Sequence, residues 1–164
     1  MQDVYLGLGS NLGDREAALR KALAAIDALP GTSLIEASPI YETAPMGPQD
    51  QDSYLNMAAK IETMFDPIGL VSELQQIETS LGRPALEQRR HWGPREIDVD
   101  LLLFGSDVIE KPVLTVPHPD MHKRWFVLKP LADLAPGVVH PLLQRTVADL
   151  LADVEEMAPQ EAHP

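Results

Sequence analysis

The most informative segment of the sequence is residues 89–105, which read Arg89-Arg90-His91-Trp92-Gly93-Pro94-Arg95-Glu96-Ile97-Asp98-Val99-Asp100-Leu101-Leu102-Leu103-Phe104-Gly105. Its second half has the alternation of a β-strand, because apolar side chains flank Asp98 and Asp100 before a continuous apolar run. Alternation places both aspartates on one face, about 6.6–6.8 Å apart along the strand. Two carboxylates at that spacing can converge on one hard cation or bridge a pair of them.

The commoner fate of two alternating aspartates is the solvated face of an edge strand. Here the apolar run begins directly after Asp100, which predicts a central, buried strand. Charged groups are seldom buried without a partner, so the pattern favours a metal site over a solvated face. Arginines and Trp92 precede the strand in a loop punctuated by glycine and proline. Anionic ligands beside cationic and aromatic residues are typical of a magnesium–nucleotide site.

Composition narrows the class of protein. The 164 residues fit one domain, and 45% hydrophobic with 23% charged residues is ordinary for a globular protein. A formal net charge of −12 argues against a nucleic-acid partner. The absence of cysteine excludes disulfides and thiolate chemistry. No apolar run reaches the length of a membrane span, and the chain opens on a strand pattern instead of a signal peptide, so we expect a cytoplasmic protein.

The order of predicted elements indicates an α+β fold. Strand patterns and helical patterns alternate as βαββαβ up to Phe104, which is the ferredoxin-like arrangement of an antiparallel sheet with helices on one face. Asp66-Pro67 marks the second helix start, and Gly82 fits its C-terminal cap. Strand and helix additions follow at 114–119, 120–131 and 146–154. We expect one domain over residues 1–154, a disordered tail over 155–164, and a functional loop over 43–53.

Gly7-x-Gly9-Ser10-Asn11-x-Gly13 invites a dinucleotide-binding interpretation, which would make the protein a nicotinamide oxidoreductase. The spacing is G-x-G-x-x-x-G, however, and the next two strands lack the crossover helix of a parallel sheet. A turn whose glycines let the backbone approach its neighbours or a ligand is the preferred interpretation.

Other candidates are single residues. His118 and His122 are four apart, but His118 lies between two prolines, so a paired zinc site is disfavoured. His118 beside Arg124 fits a phosphate contact or a plain surface histidine. Trp92 favours stacking on a heterocycle, whereas Phe126 fits stacking or core packing equally. Asn56 fits the edge of a heterocycle or a turn equally.

Several motifs occur together and in order. They are Gly9-Ser10-Asn11-Leu12-Gly13-Asp14, Tyr41-Glu42-Thr43-Ala44-Pro45-Met46-Gly47-Pro48-Gln49-Asp50-Gln51, Tyr54-Leu55-Asn56, Gly82-Arg83, Arg90 to Leu101, and Leu114-Thr115-Val116-Pro117-His118-Pro119. Over residues 4 to 137 the chain resembles the 6-hydroxymethyl-7,8-dihydropterin pyrophosphokinases of the folate pathway. The resemblance implies transfer of the β,γ-diphosphate of ATP to the pterin hydroxymethyl group, with release of AMP.

The resemblance also implies residue roles. Asp98 and Asp100 would hold two Mg²⁺ ions, and Arg83 and Arg95 would complete the catalytic set. The pterin would contact Thr43, Ala44, Met46, Tyr54, Asn56 and Phe126. ATP would contact Arg83, Trp92, Arg95, Leu101, Thr115, His118 and Arg124. Small-molecule substrates are the implied partners, with no nucleic acid and no membrane, and we expect a stand-alone monomer.

One segment and two single positions depart from the family pattern. The segment between Arg83 and Trp92 is longer than in the best-known members, so either Arg89 or Arg90 could reach phosphate. Val113 replaces a basic residue and Pro119 an aromatic one found in some members. These departures bear on ATP contacts and not on the reaction class. A module that binds pterin or nucleotide without turnover is a further alternative, against which the intact Asp98 and Asp100 argue.

Overall fold

The computed structural model describes residues 2–43, 53–82 and 97–157. Its strands are β1 Gln2–Ser10, β2 Thr32–Ala37, β3 Tyr41–Thr43, β4 Tyr54–Thr63, β5 Asp98–Phe104, β6 Ile109–Lys111 and β7 Leu114–Val116. Its helices are α1 Arg15–Asp27, α2 Pro67–Ser80, α3 Trp125–Leu134 and α4 Val147–Met157, with a 3₁₀ turn at Met121–Lys123.

The main sheet is antiparallel and has the order β2-β4-β1-β5, with β3 pairing the start of β4. β6 and β7 form a separate hairpin. The predicted second strand over 32–41 is divided in two, because Ser38 pairs with Ala58 through its side chain and backbone and Pro39 has no N–H to donate. The order confirms the predicted α+β, ferredoxin-like fold.

Helices cover both faces of the sheet. The alternation of β1 sends Val4, Leu6 and Leu8 into a core with α1 and α2, and Tyr5 into a second core with α3 and α4. The helices of the βαββαβ unit therefore lie on one face, as predicted. The C-terminal additions cover the opposite face.

The strand that carries the two aspartates is at the edge of the sheet, so the prediction of a central strand is wrong. It is buried nonetheless, because other groups cover its free edge. The Val99 N–H donates to the Glu78 carboxylate of α2 at 2.7 Å, and the His118 N–H donates to the Leu102 carbonyl at 3.0 Å. These bonds satisfy backbone groups that an uncovered edge would leave to solvent.

The ends of α2 confirm the predicted caps. Asp66 accepts the Gly69 N–H at 2.8 Å with Pro67 at the first turn, and Gly82 follows the helix with a φ of 106°. The helix predicted over 120–131 begins as a 3₁₀ turn and becomes α-helical only at Trp125.

The last helix is longer than predicted. α4 continues to Met157, so residues 155–157 are helical and not part of a tail. Glu155 is held there because its carboxylate accepts the Trp125 Nε1–H at 2.9 Å. The rest of the predicted tail, 158–164, lies outside the described residues. Across the described ranges, every helix is too short or too polar to cross a bilayer.

Candidate active site

A pocket, called here the central pocket, opens on the face of the sheet that α3 covers. Its floor is the surface of β1 at Gly7 and Gly9, because these two residues have no side chains to project from the sheet. A Cβ at Gly9 would lie 3.3 Å from Asn56 Oδ1, and one at Gly7 would lie 3.4 Å from Leu102 Cδ1. Gly7 and Gly9 therefore lie within β1 and not in the predicted turn, and the lack of side chains at these two positions leaves space above the strand. The lining residues are Gly7, Leu8, Gly9, Thr43, Tyr54, Asn56, Met57, Asp98, Asp100, Leu102, Arg124, Phe126 and Val127.

One wall of the central pocket is polar and fixed by strand pairing. β3 pairs with β4 so that Thr43 faces Tyr54 and Tyr41 faces Asn56. The buried Asn56 donates from Nδ2 to Thr43 Oγ1 at 2.7 Å. This bond occupies the amide nitrogen side and leaves Oδ1, which accepts hydrogen bonds, beside Gly9.

The opposite wall comes from α3. Phe126 lines the central pocket, and the Arg124 guanidinium carbon lies 5.8 Å from the centre of the Phe126 ring. α3 is fixed against β3 because the Tyr41 hydroxyl donates to Asp133 and its ring meets Trp125 edge-on at 5.9 Å. The bond to Asp133, followed by burial, raises the pKa of Tyr41 to about 12, so Tyr41 stays a neutral donor at physiological pH.

Asp98 and Asp100 lie on the same face of β5, as the sequence predicted. Asp98 pairs with Gly9 and Asp100 with Gly7, so both carboxylates stand beside side-chain-free positions of β1. Both residues are partly exposed, and both line the central pocket and a second concavity. The two carboxylates therefore lie where the central pocket meets the second concavity.

The second concavity, called here the α2 groove, runs between α2 and the β6–β7 hairpin. The predicted ATP contacts Leu101, Thr115 and His118 all line it. Val113 and Pro119, where the sequence departs from the family pattern, line it too, and Val113 is 67% exposed. The full lining is Val71, Leu74, Gln75, Glu78, Asp98, Val99, Asp100, Leu101, Pro112, Val113, Leu114, Thr115, His118 and Pro119.

His118 is oriented for donation. Its Nδ1 accepts the Asp120 N–H at 3.2 Å, which leaves Nε2 to carry the proton of the neutral ring. Burial and then the charge of Arg124 lower the pKa of His118, against the opposing influence of Asp120 and Asp98. The ring is consequently a neutral N–H donor at pH 7.

Glu78 is a site residue that the sequence analysis missed. It is only 3% exposed, it lines the α2 groove, and it fixes the backbone between the two aspartates through Val99. A signal existed in the helical periodicity, because residue 78 follows Leu74 by four on the buried side of α2. A carboxylate in that apolar stripe needs a partner, and the edge of β5 supplies one.

Several predicted residues cannot be placed. Ala44, Met46, Arg83, Trp92 and Arg95 lie outside the described residues, as do Arg89 and Arg90. Among the residues that are described, histidines and carboxylates do not form any cluster of three or more that could hold a metal ion. Asp98 and Asp100 are the described carboxylates that fit a hard cation which takes its other ligands from water and phosphate.

The comparisons with known proteins agree with this geometry. The sequence profile of the 7,8-dihydro-6-hydroxymethylpterin-pyrophosphokinase (HPPK) family matches residues 5–136. The chain is 46% identical over 141 residues to the 2-amino-4-hydroxy-6-hydroxymethyldihydropteridine pyrophosphokinase of Haemophilus influenzae, covering 86% of each chain. It is also 46% identical over 134 residues to the Bacillus subtilis enzyme of that name, covering 82% of this chain and 78% of that one.

Solved structures share the fold. An HPPK-DHPS protein in complex with substrates superposes with a TM-score of 0.75 at 14% identity, over 97% of this chain. A Plasmodium falciparum HPPK-DHPS with pteroate superposes with a TM-score of 0.75 at 15% identity, over 98% of this chain. This chain spans 44% of each of those two longer proteins. On the profile match and the close relatives, the chain belongs to the 7,8-dihydro-6-hydroxymethylpterin-pyrophosphokinase family.

Proposed function

We propose that the chain transfers the β,γ-diphosphate of ATP to the hydroxymethyl group of 6-hydroxymethyl-7,8-dihydropterin and releases AMP, the pyrophosphokinase step of folate biosynthesis. The observation that carries this proposal is the position of Asp98 and Asp100. They lie where the central pocket meets the α2 groove, so one substrate can occupy each space with the transferred group between them.

The central pocket suits the pterin. Tyr54 and Phe126 provide aromatic faces for a flat heterocycle, and Thr43 and Asn56 provide a polar edge. Asn56 Oδ1 can accept from an N–H of the ring while Nδ2 is engaged with Thr43. Ala44 and Met46 complete the proposed pterin contacts.

The α2 groove suits ATP. Leu101 and Thr115 line it away from the central pocket, and His118 offers a neutral N–H for a phosphate oxygen. Arg124 lines the central pocket beside Phe126, where its positive charge can contact the diphosphate as it is transferred from ATP to the pterin. Arg83, Trp92 and Arg95 are the remaining proposed ATP contacts, and Arg83 and Arg95 the proposed catalytic arginines.

Asp98 and Asp100 are proposed to hold two Mg²⁺ ions. Bound there, two Mg²⁺ ions would supply neutralisation of the triphosphate charge, which would lower the cost of attack by the pterin hydroxyl. The carboxylates are held for this task because β5 is fixed on both sides, by β1 through its ladder and by Glu78 through Val99. Positioning and charge neutralisation supply most of the rate in phosphoryl-type transfer, so a protein general base is not required.

The test is a coupled assay for AMP release from ATP and 6-hydroxymethyl-7,8-dihydropterin, with and without Mg²⁺. AMP that depends on both pterin and magnesium is the expected result. Release of ADP would refute the diphosphate transfer and indicate a simple kinase. Tight binding of both substrates without any nucleotide turnover would refute catalysis and favour a silent binding module.

The monomeric state and the cytoplasmic location expected from the sequence stay predictions. Light scattering coupled to gel filtration tests the first, with a mass near 18.0 kDa as the expected result. Fractionation of the source cells tests the second.

A further inference from the structure

The N-terminal glycine motif has a consequence beyond the pocket floor, because the turn that follows it delivers Arg15 to the ends of β3 and β4. β1 ends at Ser10, whose strand partner is Leu55 of β4. Gly13 then turns the chain with a φ of 70°, and Asp14 caps α1 by accepting the Ala17 N–H at 3.1 Å. Arg15 is the first residue of α1 and is fixed by this turn.

Arg15 bridges the two strands that carry the polar wall of the central pocket. Its Nη1 donates to the Ser53 carbonyl and to Ser53 Oγ at 2.9 Å each, and it lies 3.3 Å from Glu42 Oε2. Ser53 Oγ donates in turn to Glu42 Oε2. Glu42 precedes Thr43 at the end of β3, and Ser53 precedes Tyr54 at the start of β4.

The bridge lies behind the central pocket and not in it. Alternation along β3 sends Glu42 to the α1 side of the sheet while Thr43 faces the pocket, and Arg15 does not line the pocket. The bridge joins Glu42, the middle residue of the three-residue β3, to Ser53, which directly precedes β4. A ladder that short has little stability of its own, so an added link has a marked effect on its register.

We propose that Arg15 is a positioning residue for the pterin: together with Glu42 and Ser53 it holds the ends of β3 and β4 in register, so that Thr43 and Tyr54 keep their places on the pocket wall. The inference rests on the proposed function of the central pocket. Its ligand class is the flat heterocycle of that function, and Arg15 acts on it through the strands without contact.

The contacts of Arg15 differ in how much they contribute to holding β3 and β4 together. The Glu42 side chain is 61% exposed, so its ion pair with Arg15 contributes little by itself in water. The hydrogen bond from Ser53 and then that from Arg15 lower the pKa of Glu42, so it remains an anionic acceptor at neutral pH. The bonds from the part-buried Arg15 to Ser53 matter more, since they tie the helix to the backbone directly before β4.

The experiment compares Arg15→Ala with a matched control on the same helix. Arg20 forms an ion pair with Glu16 at 3.3 Å, its side chain is 73% exposed, and the pair joins no strands. Arg15→Ala should weaken pterin binding about tenfold, measured by calorimetry, while ATP affinity changes less than about twofold. Arg20→Ala should leave both affinities within about twofold of the wild type.

Three further variants keep the test decisive if Arg15→Ala does not fold. Ser53→Ala removes only the hydroxyl and should weaken pterin binding about threefold. Glu42→Gln keeps an acceptor and should stay near the wild type, whereas Glu42→Ala should resemble Ser53→Ala. Thermal unfolding of every variant establishes that it is folded at the assay temperature.

The outcomes separate this inference from the proposed function. Wild-type protein that binds no pterin and forms no AMP would overturn the proposed function itself, before any variant is measured. If the wild-type protein binds the pterin and the folded Arg15→Ala variant binds it with the same affinity, only the positioning role is overturned. If Arg15→Ala does not fold, an unchanged pterin affinity in Ser53→Ala overturns it in the same way. An equal loss of ATP and pterin affinity would also overturn it, because general loosening of the fold would explain that result.

Discussion

Placing a methyl group on the floor of the central pocket gives the sharpest test of where the pterin sits. Gly9→Ala adds a Cβ that would lie 3.3 Å from Asn56 Oδ1, 3.6 Å from the Leu55 carbonyl and 4.0 Å from Tyr54 Cδ1. Asn56 must therefore move by a few tenths of an ångström. Its room to move is small, because Nδ2 is bonded to Thr43 at 2.7 Å.

The expected cost falls on binding and not on folding. Overpacking of a filled site costs about 1–3 kcal/mol, which corresponds to roughly 5- to 150-fold weaker pterin binding. In the free protein the close contact with Asn56 Oδ1 opposes the advantage of about 0.5–1 kcal/mol that alanine has over glycine in a strand, so the two effects on folding largely cancel. The midpoint of thermal unfolding should thus change by less than about 4 °C.

Calorimetry with the pterin, calorimetry with ATP and a thermal melt form the assay. Gly9→Ala should lose pterin affinity, keep ATP affinity within about twofold, and melt close to the wild type. Gly137→Ala is the matched control, because among the described residues, its own and its chain neighbours' atoms aside, no heavy atom lies within 4 Å of the Cβ it would add. Wild-type pterin affinity in a well-folded Gly9→Ala protein would refute the placement of the pterin over β1.

Three further predictions concern other groups. Asp98→Ala should lower turnover by at least about a hundredfold while pterin affinity changes far less, and near-normal AMP release would remove its metal role. Glu78→Ala leaves the Val99 N–H unsatisfied and should cost about 1–3 kcal/mol in urea unfolding, with a smaller loss for Glu78→Gln, which keeps an acceptor. Burial and then the charge of His122 lower the pKa of His140 below its ordinary value of 6.5. The free energy of unfolding should therefore be at its full value above pH 6.5 and should fall as the pH drops through the lowered pKa. A pH dependence of the unfolding free energy that is unchanged in His140→Gln would contradict this.

Much of the site was predictable because it follows from local rules. The alternation around Asp98 and Asp100 determines which face they share, whatever the rest of the fold does. The caps of α2 follow from Asp66, Pro67 and Gly82 in the same way. The combination of motifs then identified the family, which the close relatives confirm.

Other features depend on contacts between distant segments. The apolar run after Asp100 predicted a central strand, yet β5 is an edge strand whose burial comes from Glu78 and His118. An apolar run in the sequence predicts that a strand is buried. It does not show whether a neighbouring strand or a helix side chain covers the edge of that strand. The helical extension to Met157 likewise includes a contact between distant residues, because Glu155 accepts a hydrogen bond from Trp125, 30 residues away.

The sequence by itself determined the family, the α+β order of elements, and the common face of Asp98 and Asp100, because these follow from motif order and from the two-residue period of a strand. The packing of the folded chain was needed to show that both carboxylates lie where the central pocket meets the α2 groove, and that Arg15 reaches Glu42 of β3 and Ser53 before β4. Such relations are set by strand register and by the packing of helices on the sheet, which bring together residues far apart in the chain. Hydrophobic periodicity carries no information about which of those distant residues will meet.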